Sequence, residues 1–255
     1  MHAENTQTQS PASYDEIADL YVRANLKPDK LHSIHPTIYS MAGTLTGMNV
    51  LDAGCGSGLF SREFILFLNA QTVYGWDISP EQIALARTII SGCRSKYFNL
   101  HYEVRDIFLD RMPFVNLVNA PFVLNYAQDA DQLDDLIARF YAALRPGGRL
   151  IGTLDLPSGQ DLSTFGARKR LLGPAENGTP IEIILFDREG EIMRLPQLAR
   201  YYSKERLEEA LTKAGFTFEW QQPMISERGL EVLGCDFWQG YLENPEIAYV
   251  LATKA

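Results

Sequence analysis

Residues 51–60 read LDAGCGSGLF, an aspartate followed by glycines at positions 54, 56 and 58. A strand that ends in a glycine-rich turn and feeds a helix presents backbone N–H groups at the carboxyl edge of a sheet. Open α/β folds bind ligands there. Glycine is needed where the backbone takes positive φ or where a ligand must come close. A dinucleotide site reads G-x-G-x-x-G and seats a pyrophosphate on the helix N-terminus, whereas this loop reads G-x-G-x-G directly after Asp52-Ala53. A carboxylate repels a pyrophosphate and attracts a cation. The loop therefore points to a nucleoside ligand that carries positive charge, as S-adenosylmethionine does on its ammonium and sulfonium.

Outward from the loop, strand-like and helix-like segments alternate. NVLDAG (49–54) precedes a helix from about Leu59. TVYGWDIS (72–79) precedes a helix from Pro80 to about Ser91, and LHYEVRD (100–106) follows. PFVNLVNAPFVL (113–124), the helical stretch DADQLDDLIARFYAAL (129–144), an RPGG turn and the strand RLIGTLDL (149–156) continue the pattern. Such alternation predicts a parallel sheet covered by helices. It breaks between Pro157 and Leu198, where IEIILFDREGEIMRL reads as two strands around Asp187 to Gly190, a hairpin insertion. A helix from Ser203 to Ala214, stopped by Gly215, leads to TFEWQQPMI and EIAYVLATK, which would form a terminal antiparallel pair. Before the core, apolar spacing predicts two helices between Tyr14 and Thr44, with the irregular NLKPDKLHSIHPT (25–37) between them as a candidate lid. The expected domain plan is a helical lid over 1–44, a nucleoside-binding Rossmann-like core over 45–157, a substrate-cap insertion over 158–200, and the end of the core over 201–255.

The chain has 255 residues, 46% of them hydrophobic, and a formal net charge of -9. That charge disfavours a phosphate backbone or an anionic lipid surface, so neither nucleic acid nor membrane is an expected partner. The three cysteines, Cys55, Cys93 and Cys235, lack metal-ligand spacing and read as free thiols of a cytoplasmic protein with no bound metal. The first residues are polar, and no apolar run approaches the roughly 20 residues that cross a bilayer. A small-molecule substrate and a monomer or homodimer are expected.

On the following strands, Asp77 closes TVYGWD about 20 residues beyond the glycines, where a carboxylate can accept both ribose hydroxyls. Asp106 closes the next strand and could accept an adenine amino group, with Ile78 and Ile107 on the two faces of the ring. LDAGCGSG, GWDISPEQIALAR, VRDI and LRPGGRLI resemble, in order and spacing, the motifs of class I S-adenosylmethionine-dependent methyltransferases over about residues 45–155. YDEIADLY (14–21), LNYA (124–127), AGFTFEW (214–220) and GCDFWQGYL (234–242) look closest to the bacterial small-molecule branch that includes the toxoflavin-biosynthesis methyltransferase.

The resemblance implies a seven-stranded, mostly parallel sheet with an antiparallel last strand, and S-adenosyl-L-methionine as cofactor. It implies that Asp52, Gly54, Cys55, Gly56 and Gly58 surround the methionine portion, Cys55 through its N–H. Asp77 would hold the ribose, and Ile78, Gln82, Asp106 and Ile107 would frame the nucleoside. Ala120 would lie on the cofactor, with Tyr14 and Tyr21 closing over it. Asn116 stands where the family usually has an aspartate of structural role.

The implied function is methyl transfer to a small, planar or aromatic metabolite at nitrogen, oxygen or carbon; the alternative is a cofactor-binding regulator or partner subunit without catalysis. Methyl transfer is an in-line displacement in which alignment and exclusion of water do most of the work. Candidate bases are His32, His35 and Tyr126, with Tyr201 and Tyr202 nearby in the expected cap. Phe237 and Trp238 are candidates to line a flat acceptor.

Overall fold

The computed structural model describes residues 26–186, 190, 192–195 and 199–255. The first expected helix, with Tyr14 and Tyr21, and the 187–189 part of the hairpin turn lie outside the described residues.

Seven strands form one sheet: β1 (Asn49–Ala53), β2 (Thr72–Asp77), β3 (Leu100–Val104), β4 (Val115–Ala120), β5 (Leu144–Asp155), β10 (Phe216–Gln221) and β11 (Ile247–Lys254). Their order is β10-β11-β5-β4-β1-β2-β3. β1 to β5 are mutually parallel, and β11 runs antiparallel to both of its neighbours. The chain leaves β1 towards β2 and returns on the other side through β4. That reversal opens a crevice at the carboxyl ends of β1 and β4.

Helices cover both faces. On one side α1 (His35–Ala42), α2 (Leu59–Leu66) and α3 (Pro80–Ile90) bury Ile38, Phe60, Phe64, Ile83 and Ala86 against Val50, Val73 and Leu117. On the other, α4 (Ala130–Ala143) and α5 (Lys204–Ala214) bury Leu133, Ile137, Phe140, Leu207 and Leu211 against Val118, Leu150 and Val250. The central strands β1 and β4 are therefore buried in continuous runs rather than in alternation. Ser79, Asp129 and Ser203 cap α3, α4 and α5 by accepting N–H groups of the first turn.

Four expectations change. The stretch 25–37 is not irregular: residues 28–42 are helical, with a π-helical segment Lys30–Ile34. Pro28 opens this run, where a missing N–H costs nothing, and Pro36 is the second residue of α1, directly after the π-helical segment. RPGG is not a free turn either. Residues 145–148 form a bulge within β5, where the pairing jumps from Val115↔Leu144 to Leu117↔Arg149. A Cβ on Gly148 would lie 2.7 Å from the Arg145 carbonyl oxygen, so glycine is obligatory in that fold-back. Asn116, opposite the bulge, accepts the Asn49 N–H at 3.0 Å and so joins β4 to β1.

The insertion is larger than a hairpin: β6 (Ala167–Leu171), β7 (Pro180–Phe186), β8 (Ile192–Arg194) and β9 (Ala199–Arg200) form a second, antiparallel sheet. After β10 the chain adds α6 (Glu227–Leu233) and α7 (Cys235–Glu243), the latter made from the GCDFWQGYL motif.

Gly54, Gly56 and Gly58 all have positive φ, at 70°, 54° and 76°. A Cβ on Gly58 would fall 2.0 Å from the Tyr102 hydroxyl on β3, which donates to the Gly58 carbonyl at 3.0 Å. Gly58→Ala is expected to destabilise the fold by roughly 2–5 kcal/mol through left-handed strain and overpacking. A lowered guanidinium midpoint measures it; a loss under about 1 kcal/mol would show that the Tyr102 ring moves aside freely.

Candidate functional site

At the carboxyl ends of β1 to β5 lies a cavity with two walls. One wall carries Gly54, Gly56, Asp77, Ile78, Gln82, Asp106, Ile107, Phe122 and Val123. The other carries Ala167, Lys169, Ile183, Leu185 and Leu195 of the inserted sheet. Lys27, Asp29, Lys30, Tyr126 and Asp155 also line it.

The glycine loop is internally hydrogen-bonded rather than bare. The Cys55 N–H donates to the Trp76 carbonyl at 2.9 Å, the Gly56 N–H to Asp77 Oδ2 at 2.8 Å, and the Gly58 N–H to the Cys55 carbonyl at 2.9 Å. The Cys55 N–H thus lies away from the cavity's needs, and burial pushes its thiol well up. Glycine serves here to reach positive φ and to leave space, for a Cβ on Gly54 would come 2.4 Å from Val123 Cγ1.

Asp77 accepts from Gly56 through one oxygen and from Ser79, at 2.9 Å, through the other. It thereby joins the ends of β1 and β2 on the cavity wall. Asp106 accepts the Phe108 N–H at 2.8 Å, which folds the residues after β3 back towards Ile107.

Gln82 is 2% exposed, and neither its Nε2 nor its Oε1 has a hydrogen-bond partner among the described residues. A buried amide with both ends unmet lowers stability by ~1–3 kcal/mol, so its place on a cavity wall marks a position waiting for a polar ligand.

Asp52, Cys55, Gly58 and Ala120 do not line the cavity. Asp52, expected to meet a ligand cation, is 1% exposed and already accepts from Ser61 Oγ at 2.5 Å and Asn119 Nδ2 at 2.8 Å. Burial raises its pKa to about 6, with the bonds from Ser61 and Asn119 and the charge of Lys30 opposing. Gly58 packs on Tyr102, and Ala120 is fully buried in the core.

Of the candidate bases, Tyr126 lines the cavity, on a short 3-10 turn Leu124–Tyr126. His35 does not line it. Its ring packs at 4.8 Å on Phe60, and burial lowers its pKa to about 3, so it is neutral beside Glu63 at 3.8 Å. His32 Nδ1 pairs with Ser226 Oγ at 3.0 Å. Tyr202 is fully buried and donates to the Ala127 carbonyl at 2.8 Å, while Tyr201 packs on the inserted sheet. Phe237 and Trp238 belong to a satellite cluster with Leu162, Phe165 and Tyr241; Trp238 Nε1 donates to the Gly229 carbonyl at 3.0 Å. Their aromatic surface anchors α7 rather than an acceptor.

Sequence reading missed the charged residues of the second wall. Lys169 Nζ sits 2.6 Å from Asp155 and donates to the Glu246 carbonyl at 3.2 Å; Lys27 lies 3.6 Å from Asp29. Only one local signal was available: Lys169 occupies an inward position of β6, between the buried Ala167 and the half-buried Leu171. Asn125 also went unread. Its Oδ1 accepts the Asp155 N–H at 2.8 Å and its Nδ2 donates to the Arg200 carbonyl at 2.8 Å, which ties β5 and β9 to the turn that carries Tyr126.

A family model for a methyltransferase domain matches residues 50–148. The ubiquinone biosynthesis O-methyltransferase of Coxiella burnetii is 27% identical over 153 residues, 58% of this chain and 62% of that protein. The chain thus spans less than two thirds of the length of that curated relative. An S-adenosylmethionine-dependent methyltransferase from Mesorhizobium loti superposes with a TM-score of 0.63 at 20% identity, over 91% of this chain and 100% of that one. The CcbJ methyltransferase from Streptomyces caelestis gives 0.63 at 18% identity, over 97% and 100%. At such identities these likenesses are of fold.

Because the folded pKa of Asp52 is raised, folding favours its protonated form. Its contribution is fully present below the unfolded value near 3.8 and is lost as pH rises through about 6. Asp52→Asn, neutral at every pH, should therefore gain on the wild type by on the order of 2–3 kcal/mol between pH 4 and pH 7. Guanidinium unfolding of the pair across that range is the measurement, and a pH-independent difference would refute it.

Proposed function

The chain carries a class I S-adenosylmethionine-dependent methyltransferase domain over residues 50–148, and on that premise we propose that it transfers a methyl group from S-adenosylmethionine to a small, planar metabolite. The observation that carries this reading is the convergence on one cavity of Gly54 and Gly56 from β1, Asp77 from β2, the partnerless Gln82 from α3 and Asp106 after β3.

The residues present fit the cofactor. Asp77 is the acceptor a vicinal diol would use; Ile78, Ile107 and Phe108 offer apolar faces to a purine; Gln82 offers a donor and an acceptor. Gly54 leaves room for the amino-acid portion. When bound, the cofactor supplies an electrophilic methyl on a sulfonium whose charge is dispersed during transfer.

What the protein contributes is position and dryness. Phe122, Val123, Ile183, Leu185 and Leu195 keep water from the reacting line. Tyr126, held by the turn that Asn125 ties to β5 and β9, is placed to orient an acceptor or to take its proton. The apolar side chains of Ile183, Leu185 and Leu195 would face a planar acceptor. Transfer to oxygen, as in the name of the ubiquinone biosynthesis O-methyltransferase, accords with this reading.

Labelled S-adenosylmethionine incubated with the protein and a panel of phenolic and heteroaromatic metabolites should yield a labelled small product. Label confined to protein or RNA would count against the proposal, and tight binding with no turnover on any acceptor would favour a regulator. Tyr126→Phe should lower turnover by roughly 10-fold or more while S-adenosylhomocysteine affinity stays unchanged. Gln82→Leu should move two readings in opposite directions. The free protein gains ~1 kcal/mol or more as the unmet amide disappears, while cofactor affinity falls by ~1–3 kcal/mol. Thermal unfolding with and without S-adenosylhomocysteine checks both, and changes of the same sign would show that Gln82 does not face the nucleoside.

A further inference from the structure

The two ends of the cavity belong to different strands. Gly54, Gly56, Asp77 and Asp106 lie at the ends of β1, β2 and β3, whereas Tyr126 comes after β4 and Asp155 closes β5, on the other side of β1. On the function proposed above, the first group takes the cofactor, so the β4–β5 end is left to the methyl acceptor.

Asp155 is 3% exposed, and among the described residues its carboxylate is met only by the Lys169 ammonium, 2.6 Å from Oδ1. No N–H or hydroxyl of those residues donates to it. By contrast Asp52, equally buried, accepts from Ser61 and Asn119, and the Glu246 side chain accepts from the N–H and hydroxyl of Ser158. A carboxylate offers about four acceptor positions, so one ammonium leaves most of those of Asp155 unmet. On a cavity wall, a buried group with that deficit is completed by a ligand that donates.

The fold holds this carboxylate in place. Asn125 accepts the Asp155 N–H at 2.8 Å and donates to the Asp155 carbonyl at 3.3 Å. Tyr126 is the next residue, so the acid and the phenol keep a fixed relation across the same end of the cavity.

Charge narrows the class of ligand. Lys27 reaches this end over Gly166, where a Cβ would lie 2.6 Å from the Lys27 Cβ. Burial lowers the Lys27 pKa and Asp29 opposes it, while Lys169 and Asp155 act on it with opposite signs. Two ammoniums, Lys27 and Lys169, thus stand against two carboxylates, Asp29 and Asp155, and their charges balance. An added anion would be repelled by Asp155 and an added cation by the ammoniums; an uncharged donor meets neither cost.

We propose that Asp155 is the acceptor-binding carboxylate of this cavity. It takes a hydrogen bond from a ring hydroxyl or N–H of an uncharged planar acceptor, at a position other than the atom that is methylated. The Lys169 ammonium already balances its charge, so Asp155 holds the acceptor and leaves proton removal to Tyr126.

The test titrates 2-naphthol, its methyl ether and 2-naphthoate into the protein at neutral pH, with S-adenosylhomocysteine present and absent. The three share a ring system, but the ether lacks the donor and naphthoate carries a charge. Wild type binds 2-naphthol at least roughly 10-fold tighter than either. Asp155→Leu combined with Lys169→Met removes both charges, so that neither is left buried alone. In that variant naphthol and ether come within about 2-fold of each other, and S-adenosylhomocysteine affinity stays within about 2-fold of wild type. If circular dichroism shows that the variant has lost its fold, Asp155→Ala combined with Lys169→Gln reads the same loss. A preference for naphthol that survives removal of the pair overturns the proposal, as does wild-type protein that binds 2-naphthol no tighter than the ether or naphthoate. Wild-type protein that fails to bind S-adenosylhomocysteine would sink the cofactor reading alone, and the naphthol series without it still decides Asp155.

Discussion

The carboxylate of Asp77 holds the site together. By accepting one N–H from the glycine loop and one from Ser79, it fixes the end of β1 to the end of β2 and sets the approach of α3. The loop can reach that carboxylate only because Gly54, Gly56 and Gly58 turn through positive φ, a conformation that L side chains rarely adopt. Once the loop is fixed, Gln82 on α3 is carried to the cavity wall, and the Tyr102 ring closes under Gly58. A carboxylate able to hold a nucleoside is thus first a clamp within the protein, and its ligand would share an acceptor already organised by two backbone donors.

The second governing feature is charge in a dry place. Asp52, Asp155, Lys27 and Lys169 are all under a tenth exposed, and burial on this scale is tolerated only when each group is bonded. Asp52 finds Ser61 and Asn119; Lys169 finds Asp155 and a carbonyl. Replacing such pairs by apolar residues is often neutral or stabilising, so stability alone does not account for keeping them. Of the four, Asp155, Lys27 and Lys169 line one cavity, beside the apolar Ile183 and Leu185 of the inserted sheet. Tyr126 shares that space because Asn125, one residue earlier, binds the backbone of both β5 and β9.

The core was legible from sequence where local signals agree. The alternation of strand-like and helix-like segments gave β1 to β5 and the helices between them, and Asp52 with the glycine spacing disfavoured a dinucleotide loop. Legibility failed where a local signal has two meanings. Pro28 and Pro36 break helices in the interior but start them in the first turn, and here they start them. The aromatic residues of GCDFWQGYL suit a flat ligand and a small core equally well, and Leu162 and Phe165, over 70 residues away, settle them into the core. Asp52 gave a sound electrostatic clue to a cation, but Ser61 and Asn119 reach it first.

What the sequence determined by itself is what depends on spacing along the chain: the alternating β and α elements, the left-handed glycine turn, and the carboxylates at the ends of β2 and β3. Period and backbone geometry act within a few residues, so they can be read without knowing the fold. What only the tertiary structure decided is which side chains share a space. Lys30 stands more than a hundred residues along the chain from Asp155 and Lys169, and only the packing of the inserted sheet over the crevice brings them to one cavity. Charge, pairing and access at that cavity are properties of distance through space, on which the order of residues is silent.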